Sequence, residues 1–173
     1  MIKRLTSADV DFYLEHVERH MAESNAKLVF HPMPPEHSYR SPTRKKNVLL
    51  SWALTTKNPS WERAWGVWHK GKVVAHVTLR GSPVEASLHR TDLGIGVEEA
   101  FRSQGWGRKL MNTALQEAKL LELVWVDLRV FKNNRAALKL YRTLDFKKNG
   151  SISDLFRVHG QNIEDILMTL KLR

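Results

Sequence analysis

The 173-residue chain contains no cysteine, which excludes disulfides, thiol nucleophiles and cysteine-based zinc sites. It also has no long hydrophobic run. No stretch reaches membrane-spanning length, and the start Met1-Ile-Lys-Arg-Leu-Thr6 lacks an apolar core of signal-peptide length. A cytoplasmic protein without membrane partners is the expectation. Acid is in deficit, with 18 Asp and Glu against 28 Lys and Arg, a formal charge of +10. The bases are spread along the chain and interrupted by acids, with one dense cluster at Arg44-Lys45-Lys46. That distribution reads as a dispersed solvated surface, and nucleic acid is not the expected partner. Proline is scarce and concentrates between Pro32 and Pro42, where it removes donors, fixes the backbone and precludes regular structure.

What is present indicates one packed body. A hydrophobic content of 42% with six tryptophans argues for a globule rather than disorder. The length supports one full core and is too short for two ordinary domains, so residues 1–173 are expected to form a single domain. No repeat, low-complexity tract or linker interrupts it.

Periodicity and punctuation give the element order. Met1 to Leu5 reads as a strand, and Thr6 or Ser7 can cap a helix from about Ala8 to Glu23 with Phe12, Leu14, Val17 and Met21 apolar. A second helix is expected from Asn47 to Thr56. Trp61 to Trp68 and Val73 to Arg80 form a hairpin turning at Lys70-Gly71. The three tryptophans at 61, 65 and 68 fit core and edge packing better than base stacking. After a loop from Gly81 to Arg90 come a fourth strand ending in Leu93-Gly-Ile-Gly-Val97, a long amphipathic helix, a fifth strand and a fourth helix. A closing hairpin ends in a strand from Ile163 to Leu172. A helix between the fourth and fifth strands implies a parallel pair with a right-handed crossover.

The most informative run is Val97-Glu-Glu-Ala-Phe-Arg102-Ser-Gln-Gly105-Trp-Gly107-Arg108. It opens a helix whose apolar face carries Leu110, Met111, Ala114, Leu115, Ala118 and Leu121. The first turn of a helix has unpartnered backbone N–H groups, and glycines let a bulky anion reach them. The helix dipole with Arg102, Arg108 and Lys109 adds positive potential, making a seat for a pyrophosphate. A dinucleotide fingerprint fails, because its third glycine is replaced by Leu110. The run Gly66 to Val73 has P-loop spacing, but it lacks the magnesium-binding hydroxyl and leads into a strand.

The pattern Val-x4-Arg-x-x-Gly-x-Gly resembles the acetyl-CoA signature of the GNAT superfamily of N-acetyltransferases. Two further segments are similar to that family in the same order: Asn134-Arg-Ala-Ala137-Leu-Lys-Leu140-Tyr141 with Phe146, and Gly160-Gln-Asn-Ile-Glu-Asp165-Ile-Leu-Met168. The resemblance spans nearly the whole chain. It implies an α/β GNAT acyl-CoA N-acyltransferase fold: a mixed, mostly antiparallel sheet with a splayed parallel strand pair, flanked by helices. It further implies acetyl-CoA as acyl donor, an amine-bearing acceptor and no metal, with a homodimer left open.

The resemblance assigns cofactor contacts to Ile95, Gly96, Val97, Arg102, Gln104, Gly105, Trp106, Gly107, Arg108, Asn134 and Ala137. Gly94 and Gly96 would allow a bulge that frees strand amides for the pantetheine arm. Tyr141 lies seven residues after Asn134 on the same helix face. In the family, tyrosine at this position protonates the departing sulfur. Asp145 stands where the family has a left-handed glycine.

An amine of pKa about 10.4 arrives protonated, so a base is needed. Members that use a glutamate on the fifth strand have it where this chain has Arg129. Asp92 is the first candidate, then Glu98, then Asp127, with His76, His89 and a water relay also open. The acceptor pocket is expected from the first two helices, the Pro-rich loop with His31, His37, Tyr39 and Arg40, and the final hairpin. Transfer of acetyl to a primary amine is the leading function. A non-catalytic GNAT-like module binding acyl-CoA or RNA is the alternative.

Overall fold

The computed structural model describes residues 1–27, 40–158 and 160–172. His31, His37 and Tyr39 lie outside these described residues. The elements are β1 (Ile2–Arg4), α1 (Val10–Lys27), α2 (Pro42–Ala53), β2 (Glu62–His69), β3 (Lys72–Gly81), β4 (Arg90–Val97), α3 (Trp106–Leu120), β5 (Trp125–Phe131), α4 (Arg135–Arg142), β6 (Lys147–Val158) and β7 (Gln161–Lys171). All seven strands join one sheet in the order β1-β2-β3-β4-β5-β7-β6. Only β4 and β5 pair in parallel; the other neighbours are antiparallel.

Local chemistry accounts for most boundaries. The Asp9 carboxylate accepts from the backbone N–H and hydroxyl of Thr6, at 2.9 and 2.8 Å, and starts the first helical segment. Lys70 and Gly71 turn the β2–β3 hairpin at φ 46 and 74, the positive values such a tight turn requires. Asp145 takes φ 65, filling the left-handed position after α4. The second helix begins at Pro42, earlier than the expected Asn47. Proline at the first helical position costs no hydrogen bond, and Ser41 caps it by accepting from the Arg44 N–H.

Helices cover both sheet faces. On one, Leu110, Met111, Ala114 and Ala118 of α3 and Leu138 and Tyr141 of α4 join Val77, Leu79, Leu93, Val126 and Leu128 in the main core. On the other, Val10, Tyr13, Leu14 and Val17 of α1 and Val48 of α2 pack on Leu5, Ala64 and Val73. Trp61 and Trp65 are core residues. Phe12 is 41% exposed; Tyr13 takes its expected place in the α1 contact. No described helix is long and apolar enough to cross a membrane.

Candidate active site

The site begins where the sheet parts. β4 and β5 pair only at Arg90–Trp125, Thr91–Val126 and Asp92–Asp127. Beyond Asp92, β4 keeps β3 on one side, while β5 continues alongside β7 to Phe131. The gap opens into a cavity of about 830 Å³, lined by Leu93–Val97, Leu128–Phe131, residues of α1, α3 and α4, and Arg44 and Arg80. This is the size and position expected of a small-molecule cleft.

The splayed pair was expected; the bulge was not found. The β3–β4 register runs unbroken from Ala75–Val97 to Gly81–Thr91, straight through Gly94 and Gly96. Crowding from other side chains explains these glycines. A Cβ at Gly94 would lie 2.8 Å from Thr78 Oγ1, and one at Gly96 would lie 2.6 Å from both the His20 and His76 rings. A bulge does occur in the sheet, at Val74 of β3, which is skipped between the Val67–Ala75 and Trp68–Val73 pairs.

Asp92, Ile95, Gly96, Val97, Arg102, Trp106, Gly107, Asn134, Ala137 and Tyr141 all line the cavity. Gln104, Gly105, Arg108 and Glu98 border it without lining it. Gly105 caps α3 at φ 80, and a Cβ there would meet nothing within 4 Å, so the helix start is open to a ligand. Arg102 straps the turn: its Nε donates to the Val97 carbonyl at 2.9 Å and its guanidinium to Glu23 at 2.6 Å. Arg108 donates to Thr143 Oγ1 at 2.8 Å, and Gln104 to the Ala100 carbonyl. Asn134 caps α4, its side-chain oxygen accepting from the Ala137 N–H at 3.1 Å. Tyr141 is 6% exposed, and burial raises its phenol above the ordinary tyrosine range, so it stays protonated at neutral pH.

The carboxylates separate by their partners. Asp127 is held bidentately by Arg90 at 2.8 and 2.7 Å. Arg129 donates to buried Asp165, so this position of the fifth strand is an ion pair here. Asp92 lines the cavity; partial burial, then the nearby Asp127 charge, push its carboxyl up. Glu98 accepts from His16 at 2.7 Å and Arg19 at 3.0 Å. Burial pushes its carboxyl up, but these two donors outweigh that and hold it below the usual range. The final hairpin contributes no described lining residue, because β7 and β6 lie beyond β5, away from the gap.

Sequence reading missed His16 and His20. They sit one turn apart on α1 and continue its buried face, which was the available signal. His16 Nε2 lies 2.8 Å from His76 Nδ1, and the His20 ring stacks on His16. Burial lowers all three, His20 to about 3, with neighbouring cationic or imidazole groups adding to this at His20 and His76. No described group of three or more His, Asp or Glu is placed to hold a metal ion.

These histidines stay neutral in the folded state below their ordinary value of about 6.5 and become charged on unfolding. The unfolded chain therefore binds more protons there, and stability falls as pH drops below about 6.5, by up to about 1.4 kcal/mol per pH unit per histidine. Urea unfolding at stepped pH should record this loss. It should shrink in His20→Gln, and an unchanged slope in that variant would contradict the assignment.

Residues 23–146 match the Acetyltransferase (GNAT) family. The N-alpha-acetyltransferase RimI of Mycobacterium tuberculosis is 35% identical over 81 residues, a match spanning 47% of either chain. The chain thus aligns with about half the length of that curated relative. An acetyltransferase of the GNAT family from Streptococcus pneumoniae superposes with a TM-score of 0.85 at 20% identity, covering 99% of this chain and 98% of that one. Salmonella typhimurium yncA, solved with its cofactor acetyl-CoA, gives 0.80 at 14% identity, covering 100% of this chain and 94% of that one.

Proposed function

The chain belongs to the Acetyltransferase (GNAT) family, and from that membership we propose that it transfers acetyl from acetyl-CoA to a primary amine by direct attack. The observation that carries this reading is the parted β4–β5 pair, whose cavity runs between the open start of α3 and Tyr141. Acetyl-CoA would supply the activated acyl carbon and a sulfur leaving group. The residues fit it. Bare amides at Gly105 to Gly107 suit a pyrophosphate, and the β4 edge beyond Asp92, unpaired by β5, suits an amide-bearing arm. No metal is needed for this chemistry.

The acceptor would approach on the α1 side, where Asp92, Gly94 and Gly96 face Arg80, Thr78 and His76 across the β3–β4 register. Asp92 is the carboxylate available to take the first proton of an arriving ammonium. Its raised carboxyl makes it a better base than an ordinary aspartate. A backbone N–H of β4 near Val97 would stabilise charge on the acyl oxygen. Tyr141, protonated and lining the cavity, would give its proton to sulfur.

Asp92→Asn should slow turnover about 100-fold at neutral pH and recover at high pH, where the amine deprotonates unaided. A pH–rate profile parallel to wild type would transfer the role to solvent. The function itself is tested by thiol release from acetyl-CoA across a panel of amines. Peptide α-amines belong in that panel, since a relative is named an N-alpha-acetyltransferase. Amine-dependent thiol release is expected; acetyl-CoA binding without release for any amine would favour a binding module.

A further inference from the structure

His76 of β3 stands directly across the register from Gly96 and lines the cavity. Behind it runs a hydrogen-bonded chain reaching two other elements. His76 Nδ1 is 2.8 Å from His16 Nε2, and His16 Nδ1 is 2.7 Å from Glu98 Oε1. Arg19 fixes the end by donating to the same Glu98 oxygen.

This chain dictates where the protons sit. An ionised carboxylate only accepts, so the Glu98 contact requires the His16 proton on Nδ1. A neutral His16 then presents a bare Nε2, and the 2.8 Å contact requires His76 to donate from Nδ1. That leaves the lone pair of His76 on Nε2, the nitrogen not engaged by His16. The absence of a side chain at Gly96 keeps the ring in place, since a Cβ there would collide with His76 and His20.

We propose that His76 is a second base of this cavity, taking the proton that the acceptor nitrogen sheds as the amide forms, with His16 and Glu98 as positioning residues. The inference rests on the acetyl-transfer reading. An ammonium acceptor loses two protons in becoming an amide. The first leaves before attack, and Asp92 serves that step. The second leaves as the carbon–nitrogen bond forms and the carbon–sulfur bond breaks. It passes from nitrogen to His76 Nε2, while the Nδ1 proton of His76 moves to His16 Nε2. The resulting imidazolium rests beside the Glu98 carboxylate. Sulfur takes the Tyr141 proton. His16 is fully buried, so its surplus proton runs back to His76 Nδ1, while the Nε2 proton of His76, which lines the cavity, passes through cavity water to the tyrosine.

The surroundings suit that second proton. Tyr13, His16 and His20 of α1 pack around His76, with Arg80 further along its own strand. Gly96 lies opposite on β4 between Ile95 and Val97, and Glu98, just past the end of β4, is reached through His16. Burial foremost, then the neighbouring His16 and His20 imidazoles and the Arg80 cation, keep the ring neutral and weakly basic. A weak base is poorly matched to a free ammonium, but well matched to the more acidic nitrogen already bonded to an acyl carbon.

Nitrogen-resolved NMR of the imidazole rings tests the chain without an acceptor. Wild type should have His76 and His16 protonated on Nδ1 and bare on Nε2, and Glu98→Leu, which removes the acceptor altogether, should lose that pattern. His76→Asn can still donate to His16 but has no nitrogen at the Nε2 position. Its turnover should fall about 100-fold and stay low as pH rises, because the second proton does not come from solvent-accessible ammonium. The Asp92→Asn defect, by contrast, shrinks. The acetyl-CoA thermal shift should persist in both. A protonated His76 Nε2 in wild type, or His76→Asn turnover within about twofold of wild type, overturns the proposal. Wild type that releases no thiol with any amine overturns acetyl transfer, and the base role with it, even where the tautomers match.

Discussion

Gly105→Val is expected to abolish acetyl-CoA binding. In wild type, a ligand at a hundred times its dissociation constant stabilises the folded state by about 2.7 kcal/mol. For a domain of this size, that raises the melting temperature by roughly 5 to 10 °C. The variant should have no shift. Two effects combine at this position. Gly105 holds φ 80, where an L side chain costs about 1 to 2 kcal/mol, and the apo protein should melt a few degrees lower for that reason. The second effect is obstruction, because the space above the glycine is open and a valine would occupy it. Gly105→Asn separates the two, since asparagine tolerates the left-handed region yet still covers the amides. It should melt near wild type and also fail to respond to acetyl-CoA. A wild-type shift in both variants would remove the pyrophosphate from the start of α3.

Tyr141→Phe should lower turnover by a factor of about 100 to 10,000, the usual range for general acid assistance. Phenylalanine keeps the ring, its place in the main core and its contact with Phe146 at 6.0 Å between centroids. The substitution therefore removes the proton and little else. The raised phenol gives the expectation a sign: Tyr141 holds its proton beyond the ordinary tyrosine value, so wild-type activity should not decline through loss of this acid at neutral pH. Acetyl-CoA affinity should change little, because on the proposed reading the start of α3 and the β4 edge would carry binding. Near-normal turnover in the variant, measured by thiol release with the best acceptor, would leave Tyr141 a packing residue.

Much of the fold was legible because its signals are local. The apolar stripe of α3, the Lys70-Gly71 turn, the Asn134 cap and the left-handed Asp145 each act over a few residues, and each stands as read. Three motif segments in order supplied the topology that local signals cannot. Misreadings arose where one residue type serves two purposes. Pro42 was read as a breaker, whereas at the first helical position proline is a starter. Gly94 and Gly96 were read as a bulge, whereas the register runs unbroken through them and their missing Cβ atoms make room for Thr78, His20 and His76.

The histidine chain lay beyond reach for a different reason. Its contacts join residues 60 and 82 positions apart, and no periodicity links a helix residue to a strand residue at that separation. Glu98 illustrates the consequence. As a lone acid after a strand it resembled a base; in the fold its carboxylate is committed to His16 and Arg19. Asp127 is likewise committed to Arg90. Only the three-dimensional arrangement separates the engaged carboxylates from Asp92.

The three residue pairs joining β4 to β5 are a short seam. On one side stand four strands built from the first part of the chain; on the other stand three from its end, and α3 is the covalent bridge. Sheets resist shear through the number of rungs between neighbouring strands, and this seam has few. A molecule lying along the gap, bonded to both edges, would act as a stitch across a tear. Stiffness between the two halves would then be a property that the protein acquires with such a ligand and gives up on its release.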